Sequence, residues 1–234
     1  EVVSTDPGYT KKWLLHTTSQ PLLPSAIRLK GQKDAGIFES NSDALRIENK
    51  PGSLDVKRIL PKQSIIRMVG GEGYRYYVEH DGIDGAVDGE FNGINFVEGS
   101  SDSAWFDSAN WRIEIQPRSP QLVDRFLVSM SPALGEDRSA EVEALEFVAG
   151  ELPGLVTPDS VVLYTSEAKT GMKTVFLMPG NQQRIFLLGV GKGEDYKLTI
   201  GNLARTVRAK SAGVLAITLP TEIEPKIKIG ISRS

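Results

Sequence analysis

Trp111-Arg112-Ile113-Glu114-Ile115-Gln116 sets three apolar side chains against three polar ones in strict alternation. A period of two is the mark of a strand buried on one face, because successive side chains leave opposite sides of the pleat. Leu54-Asp55-Val56-Lys57-Arg58-Ile59 has the same texture, with Leu54, Val56 and Arg58 opposing Asp55, Lys57 and Ile59. Short runs of this kind recur at 13–18, 26–29, 44–48, 65–69, 74–79, 122–130, 161–165, 174–178, 184–188, 195–200, 206–209, 213–219 and 226–231. Between them, 23 Gly and 13 Pro are spread along the chain and not gathered into one linker. The pattern predicts an all-β fold of stacked antiparallel sheets, a multi-sheet β-sandwich with little helix. One short window, 137–146, is the best helical candidate, and its Glu141, Glu143 and Glu146 suit a solvated loop equally. No internal repeat or low-complexity tract interrupts the strand pattern, so residues 1–234 read as a single β-sandwich-type unit. The stretch 80–107, with seven acidic residues among Gly and Ser, reads as a long loop excursion between strands. Such loops commonly carry binding function.

The 234 residues hold 27 Lys plus Arg against 30 Asp plus Glu, a formal net charge of -3. That balance supplies no broad field for nucleic acid. No apolar stretch approaches the roughly 20 residues that cross a bilayer, so neither nucleic acid nor membrane is expected as a partner. Cysteine is absent, which removes disulfides, thiolate metal sites and cysteine nucleophiles. With only His16 and His80, a three-histidine metal site is impossible and a serine triad has just two possible bases. The first residue is Glu1, which reads as a cut within a longer protein.

His16 lies in Lys11-Lys12-Trp13-Leu14-Leu15-His16-Thr17, where alternation puts Trp13 and Leu15 on one face and Leu14 and His16 on the other. A histidine among apolar neighbours in a strand is most often a buried, hydrogen-bonded structural residue. The functional alternative is a metal ligand or a cationic partner for an anionic substrate, roles open to imidazole near neutrality. His80 precedes Asp81-Gly82 and reads as a solvated turn residue. The series Asp81, Asp84, Asp88 and Glu90 lacks the spacing of a helical calcium loop, which leaves a different calcium loop or a solvated turn series. Gly70-Gly71-Glu72-Gly73 lacks the Gly-Lys-Ser/Thr and the helix of a phosphate loop. It reads as a tight connection, or as a point where another segment or a ligand comes close to the backbone. Tyr74, Arg75 and Tyr76, with the later Trp105, Phe106 and Trp111, are the aromatic and cationic groups that a carbohydrate surface uses. Sugar C–H faces stack on aromatic rings, and uronates or sulfates recruit Arg. The opposing reading places several of these aromatics in the sandwich core.

Taken in order, Asp6-Pro7 with Lys11–His16, Ile59-Leu60-Pro61, Val69-Gly70-Gly71-Glu72-Gly73-Tyr74, Trp111–Pro117 and Asp124–Val128 resemble the C-terminal β-domain of heparinase II/III-like polysaccharide lyases. Gly189–Tyr196 and Ala212–Leu215 resemble that domain's last hairpins. The resemblance implies the β-domain of a secreted or periplasmic bacterial lyase that cleaves acidic, uronate-containing glycans by β-elimination. Its principal catalytic residues would lie in an N-terminal α/α toroid of the same protein, outside this chain. It implies that the chain alone is inactive and that no cofactor is required, with a structural zinc or calcium possible in the parent protein. His16 then stands as a candidate catalytic residue or metal ligand whose co-ligands lie elsewhere, and Tyr74, Arg75, Tyr76 and Trp105 as candidate substrate contacts. The alternative function is a non-catalytic carbohydrate-binding or interaction module.

Overall fold

The computed structural model describes residues 1–75, 77–79, 93–95, 110–135, 141–145, 147–149, 152–165, 173–178, 180, 184–220 and 227–233. These residues form strands and turns with no helix, arranged in antiparallel sheets with a single parallel pairing among them. The chain divides into two compact units, Glu1–Ser139 and Ala140–Ser234. Every described ladder lies within one unit or the other, a division for which the continuous strand pattern gives no signal.

In the first unit the strands are β1 (Val2–Val3), β2 (Trp13–Thr17), β3 (Ile27–Gln32), β4 (Ala35–Ser40), β5 (Ala44–Asn49), β6 (Gly52–Leu60), β7 (Ser64–Gly70), β8 (Tyr77–Glu79), β9 (Gly93–Asn95), β10 (Trp111–Pro117), β11 (Val123–Asp124) and β12 (Leu127–Leu134). A five-stranded sheet in the order β2-β10-β7-β4-β3 stacks on a three-stranded sheet β12-β6-β5. The apolar side chains of the alternating stretches meet between them: Ile113 and Ile115 of β10 join Leu45, Ile47, Val56 and Ile66, with Trp13 and Leu15 packed alongside. Each such side chain, fully buried, contributes about 1.5–3 kcal/mol, so the alternation is itself the driving force for stacking the two sheets.

Two details fix how the large sheet closes. Gly70 ends β7 against β10, where an added Cβ would lie 2.7 Å from the Trp111 Cα and also strike the Asn110 carbonyl. The glycine run is thus a point of close backbone approach. Lys11, just before β2, is the second: it donates to Asp124 Oδ2 at 2.8 Å.

The second unit contains β13 (Glu143–Ala144), β14 (Phe147–Ala149), β15 (Gly154–Val156), β16 (Ser160–Tyr164), β17 (Lys173–Leu177), β18 (Arg184–Val190), β19 (Asp195–Ile200), β20 (Leu203–Arg208), β21 (Gly213–Thr218) and β22 (Lys228–Arg233). Two five-stranded sheets, β13-β15-β16-β18-β21 and β14-β17-β22-β19-β20, enclose one core that includes Leu163, Phe176, Leu187, Leu198 and Ile229, all fully buried. The described part of the helical window, 141–145, is extended: Glu143 and Ala144 pair with Val156 and Leu155 of β15. A partner strand satisfies those backbone groups and overrides a weak helix signal.

Candidate functional site

One face of the five-stranded sheet packs into the sandwich core. The other carries an ordered array of charge, built from the polar half of the same alternation. Register puts His16 (β2), Arg112 (β10), Val69 (β7) and Ile37 (β4) in one row, with Lys30 (β3) at its end. The neighbouring row is Leu14, Glu114, Arg67, Glu39 and Ile27.

Glu114 is the centre of this array, with only 3% of its surface exposed. It accepts Lys12 Nζ at 2.7 Å and Arg112 Nε at 2.6 Å. Burial pushes its carboxyl up, but the hydrogen bonds and charges of Lys12 and Arg112 outweigh that and hold it below the ordinary glutamate value. Arg112 also donates through Nη2 to the Tyr77 carbonyl at 3.0 Å, which ties β8 to the sheet. Beside Glu114 in the ladder, Arg67 is buried and donates to Glu39 Oε1 from Nε at 2.8 Å and from Nη2 at 2.5 Å. Among the described residues Lys12, Arg112 and Arg67 thus hold the two carboxylates Glu114 and Glu39 on this face.

His16 is exposed at the edge of the array, and Leu14 on the same face is 50% exposed. The alternation placed both correctly, whereas the buried structural histidine expected from apolar neighbours is not what forms: Trp13, Leu15 and the buried Thr17 take the other face, with Trp13 and Leu15 packed against the core. Among the described residues His16 has no hydrogen-bonding or ionic partner. An imidazole held in this way is accessible but not oriented, unlike a histidine base fixed by a second group.

Tyr74 packs half-buried against Ile37, Val69 and Tyr77, at the Lys30 side of the face. Its ring centroid lies 5.4 Å from that of Tyr77, and Lys30 Nζ sits 5.6 Å from the Tyr77 centroid. Such a cation over an aromatic face is favourable by about 0.5–1 kcal/mol at exposed sites. Gly71 and Gly73, with φ of 81° and 78°, turn the chain into this position. Left-handed backbone there explains why glycine occupies both sites. Arg75 follows Tyr74, half-buried. Tyr76, His80, Trp105, Phe106 and the whole series Asp81–Glu90 lie outside the described residues.

The structure thus brings His16 and Tyr74 to the same face of one sheet, with Arg112 of β10 between His16 and the Val69 and Ile37 positions on which Tyr74 packs. Arg112, Glu114, Lys12, Arg67, Glu39 and Lys30 were not singled out by sequence. For Arg112 and Glu114 the signal was present, since both occupy the polar positions of the stretch that decides the fold. Among the described residues no group of three or more His, Asp or Glu is placed to hold a metal ion. No family model matches the sequence, and no curated protein matches it significantly.

Proposed function

We propose that the first unit is the β-portion of a polysaccharide lyase similar to the heparinase II/III type, and that the exposed edges of the polar face, with His16 on β2 and Lys30 on β3, lie against an acidic glycan. The supporting observation is the convergence of the stretches that carry the resemblance. Lys11–His16, Trp111–Pro117 and Val69–Gly70 are remote in sequence yet become β2, β10 and the end of β7, three adjacent strands, while Asp124 closes on Lys11. His16 and Lys30, exposed at the two ends of one row, suit uronate carboxylates or sulfates, which need charge-assisted hydrogen bonds to offset their desolvation.

In β-elimination a base removes the proton beside the uronate carboxylate while the developing charge is neutralised and the leaving oxygen receives a proton. In this proposal the face neutralises and positions, and the base belongs to the helical toroid of the parent protein. The pairing of Glu114 and Glu39 supports that division of labour. A carboxylate held ionised by two cations, as Glu114 is, has little basicity left for proton abstraction. The same fact favours the second reading, a non-catalytic module for acidic glycans, if no toroid accompanies it.

Incubation of the chain with uronate polysaccharides tests the proposal. It expects retention of the polysaccharide without the ultraviolet absorbance of an unsaturated uronate product. Appearance of that product from the purified chain would move the base into these residues and overturn the assignment.

A further inference from the structure

The charge of the second unit is segregated along its sequence, with ten Lys or Arg against four Asp or Glu from Lys173 to Arg233. The fold gathers part of this excess onto one sheet face. Lys173, Ser232, Lys197 and Thr206 form a single row across β17, β22, β19 and β20. Gly230 and Thr199 lie in the next row of the same face, two residues along. Lys228 lies a further two residues along β22, and Arg208 flanks Thr206 on β20. The opposite face is the unit's core, formed here by Phe176, Leu198, Ile229 and Ile231, so the lysines point away from it.

Lys173, Lys197, Lys228 and Arg208 are exposed. Among the described residues the three lysines have no ionic or hydrogen-bonding partner, whereas Arg208 is 3.5 Å from Asp195. With strands about 4.8 Å apart, Lys173 and Lys197 stand about 10 Å from one another, and Lys228 lies about 13 Å along β22 from the row they define. These three lysines, without a partner among the described residues, present like charge on one surface. An extended polyanion laid across them meets all three charges at close range, whereas the lysines, about 10 Å or more apart, are largely screened from one another.

We infer that this face of the second unit is a binding surface for an acidic polysaccharide, engaged through Lys173, Lys197 and Lys228. The identity of the ligand rests on the acidic-glycan reading given for the first unit; the surface itself does not. Charge complementarity calls for a polyanion, and the groups between the lysines select among polyanions. Thr199, Thr206 and Ser232 supply hydroxyls that exchange hydrogen bonds with sugar hydroxyls and carboxylates. The described face carries no aromatic ring on which a nucleobase would stack, the feature that single-stranded nucleic acid surfaces use. Nor does it carry the row of large apolar side chains that inserts into a membrane interface.

The test uses the intact chain in three forms besides wild type: Lys173→Ser/Lys197→Ser/Lys228→Ser, the same three positions changed to Arg, and His16→Ala/Lys30→Ala in the first unit. Each is titrated with a uronate polysaccharide, neutral dextran, a DNA duplex and anionic phospholipid vesicles. The serine triple variant is expected to bind the uronate polysaccharide about tenfold more weakly or worse, and the arginine variant to stay within about threefold of wild type. Retained affinity in the serine variant overturns the inference, as does loss in both triple variants or tighter binding to DNA or vesicles than to the polysaccharide. If the serine variant binds normally and His16→Ala/Lys30→Ala does not, this inference fails while the reading of the first unit stands. The reverse pattern leaves this surface standing and removes that reading.

Discussion

Lys11 and Asp124 form an ion pair of 2.8 Å in which each side chain retains only 6% of its exposure. Asp124 also accepts the Gln121 backbone N–H at 3.1 Å, and Lys11 donates to the Gln121 carbonyl. The pair therefore fastens the start of β2 to the segment that enters β11. Removing one partner strands the other charge in a buried site, which costs about 3–5 kcal/mol, whereas replacing both with apolar groups is far less harmful. Lys11→Met and Asp124→Leu should each lower stability by that amount in denaturant titrations, and the double variant should recover most of it. Equal losses in all three would contradict a buried pair.

Glu114 gives the first unit an acid-sensitive element. Its carboxyl is held below the value it has in the unfolded chain, so the unfolded state takes up its proton first as pH falls. The stabilisation is fully present above the ordinary glutamate range and is lost as pH drops through the lowered folded value. Glu114→Gln should therefore flatten the acid limb of the stability–pH curve while lowering stability at neutral pH. An unchanged acid limb would show that the pairing with Lys12 and Arg112 contributes nothing.

Gly70→Ala should destabilise the first unit by about 1–3 kcal/mol, the usual cost of overpacking, because the new methyl meets the Asn110 carbonyl, the Trp111 Cα and the buried Trp111 ring, none of which is the far end of a flexible side chain. A calorimetric midpoint within a degree of wild type would mean that the two strands are not held at this separation.

In the second unit, packing and charge separate cleanly. Leu187→Ala, at a fully buried position, should cost about 2–5 kcal/mol. Lys197→Ser, on the exposed face, should change stability by less than about 0.5 kcal/mol. Comparable losses from both would place Lys197 in a packed environment.

How much of this was legible in the sequence depends on which faces a strand buries. The Trp111–Gln116 and Trp13–Thr17 stretches bury one side, so period-two alternation announced both the strands and their facing. β4 gave no such signal, although it lies inside the sheet between β7 and β3. Gly36, Ile37 and Phe38 are consecutive buried residues, with Ile37 under Tyr77 and Phe38 against Trp111, so both faces are covered and alternation is lost. The alternation predicts a strand from Tyr74; instead Tyr74 lies in a turn set up by the left-handed glycines before it, and the described strand is Tyr77–Glu79. The charged array was only half visible. Arg112 and Glu114 are two apart on one strand, but the cross-strand partners Lys12, Arg67 and Glu39 depend on register, which a single sequence does not display.

Binding of an acidic glycan at the exposed edges of the first unit's polar face is read out by an equilibrium titration of the intact chain with a uronate polysaccharide. His16 and Lys30 are exposed at opposite ends of one row, so His16→Ala/Lys30→Ala should spare the fold. Wild type should bind the uronate polysaccharide and not neutral dextran, and the double variant should lose about three- to tenfold in affinity. Affinity for the uronate polysaccharide that equals affinity for dextran, or that is untouched by the double variant, would contradict binding at those edges.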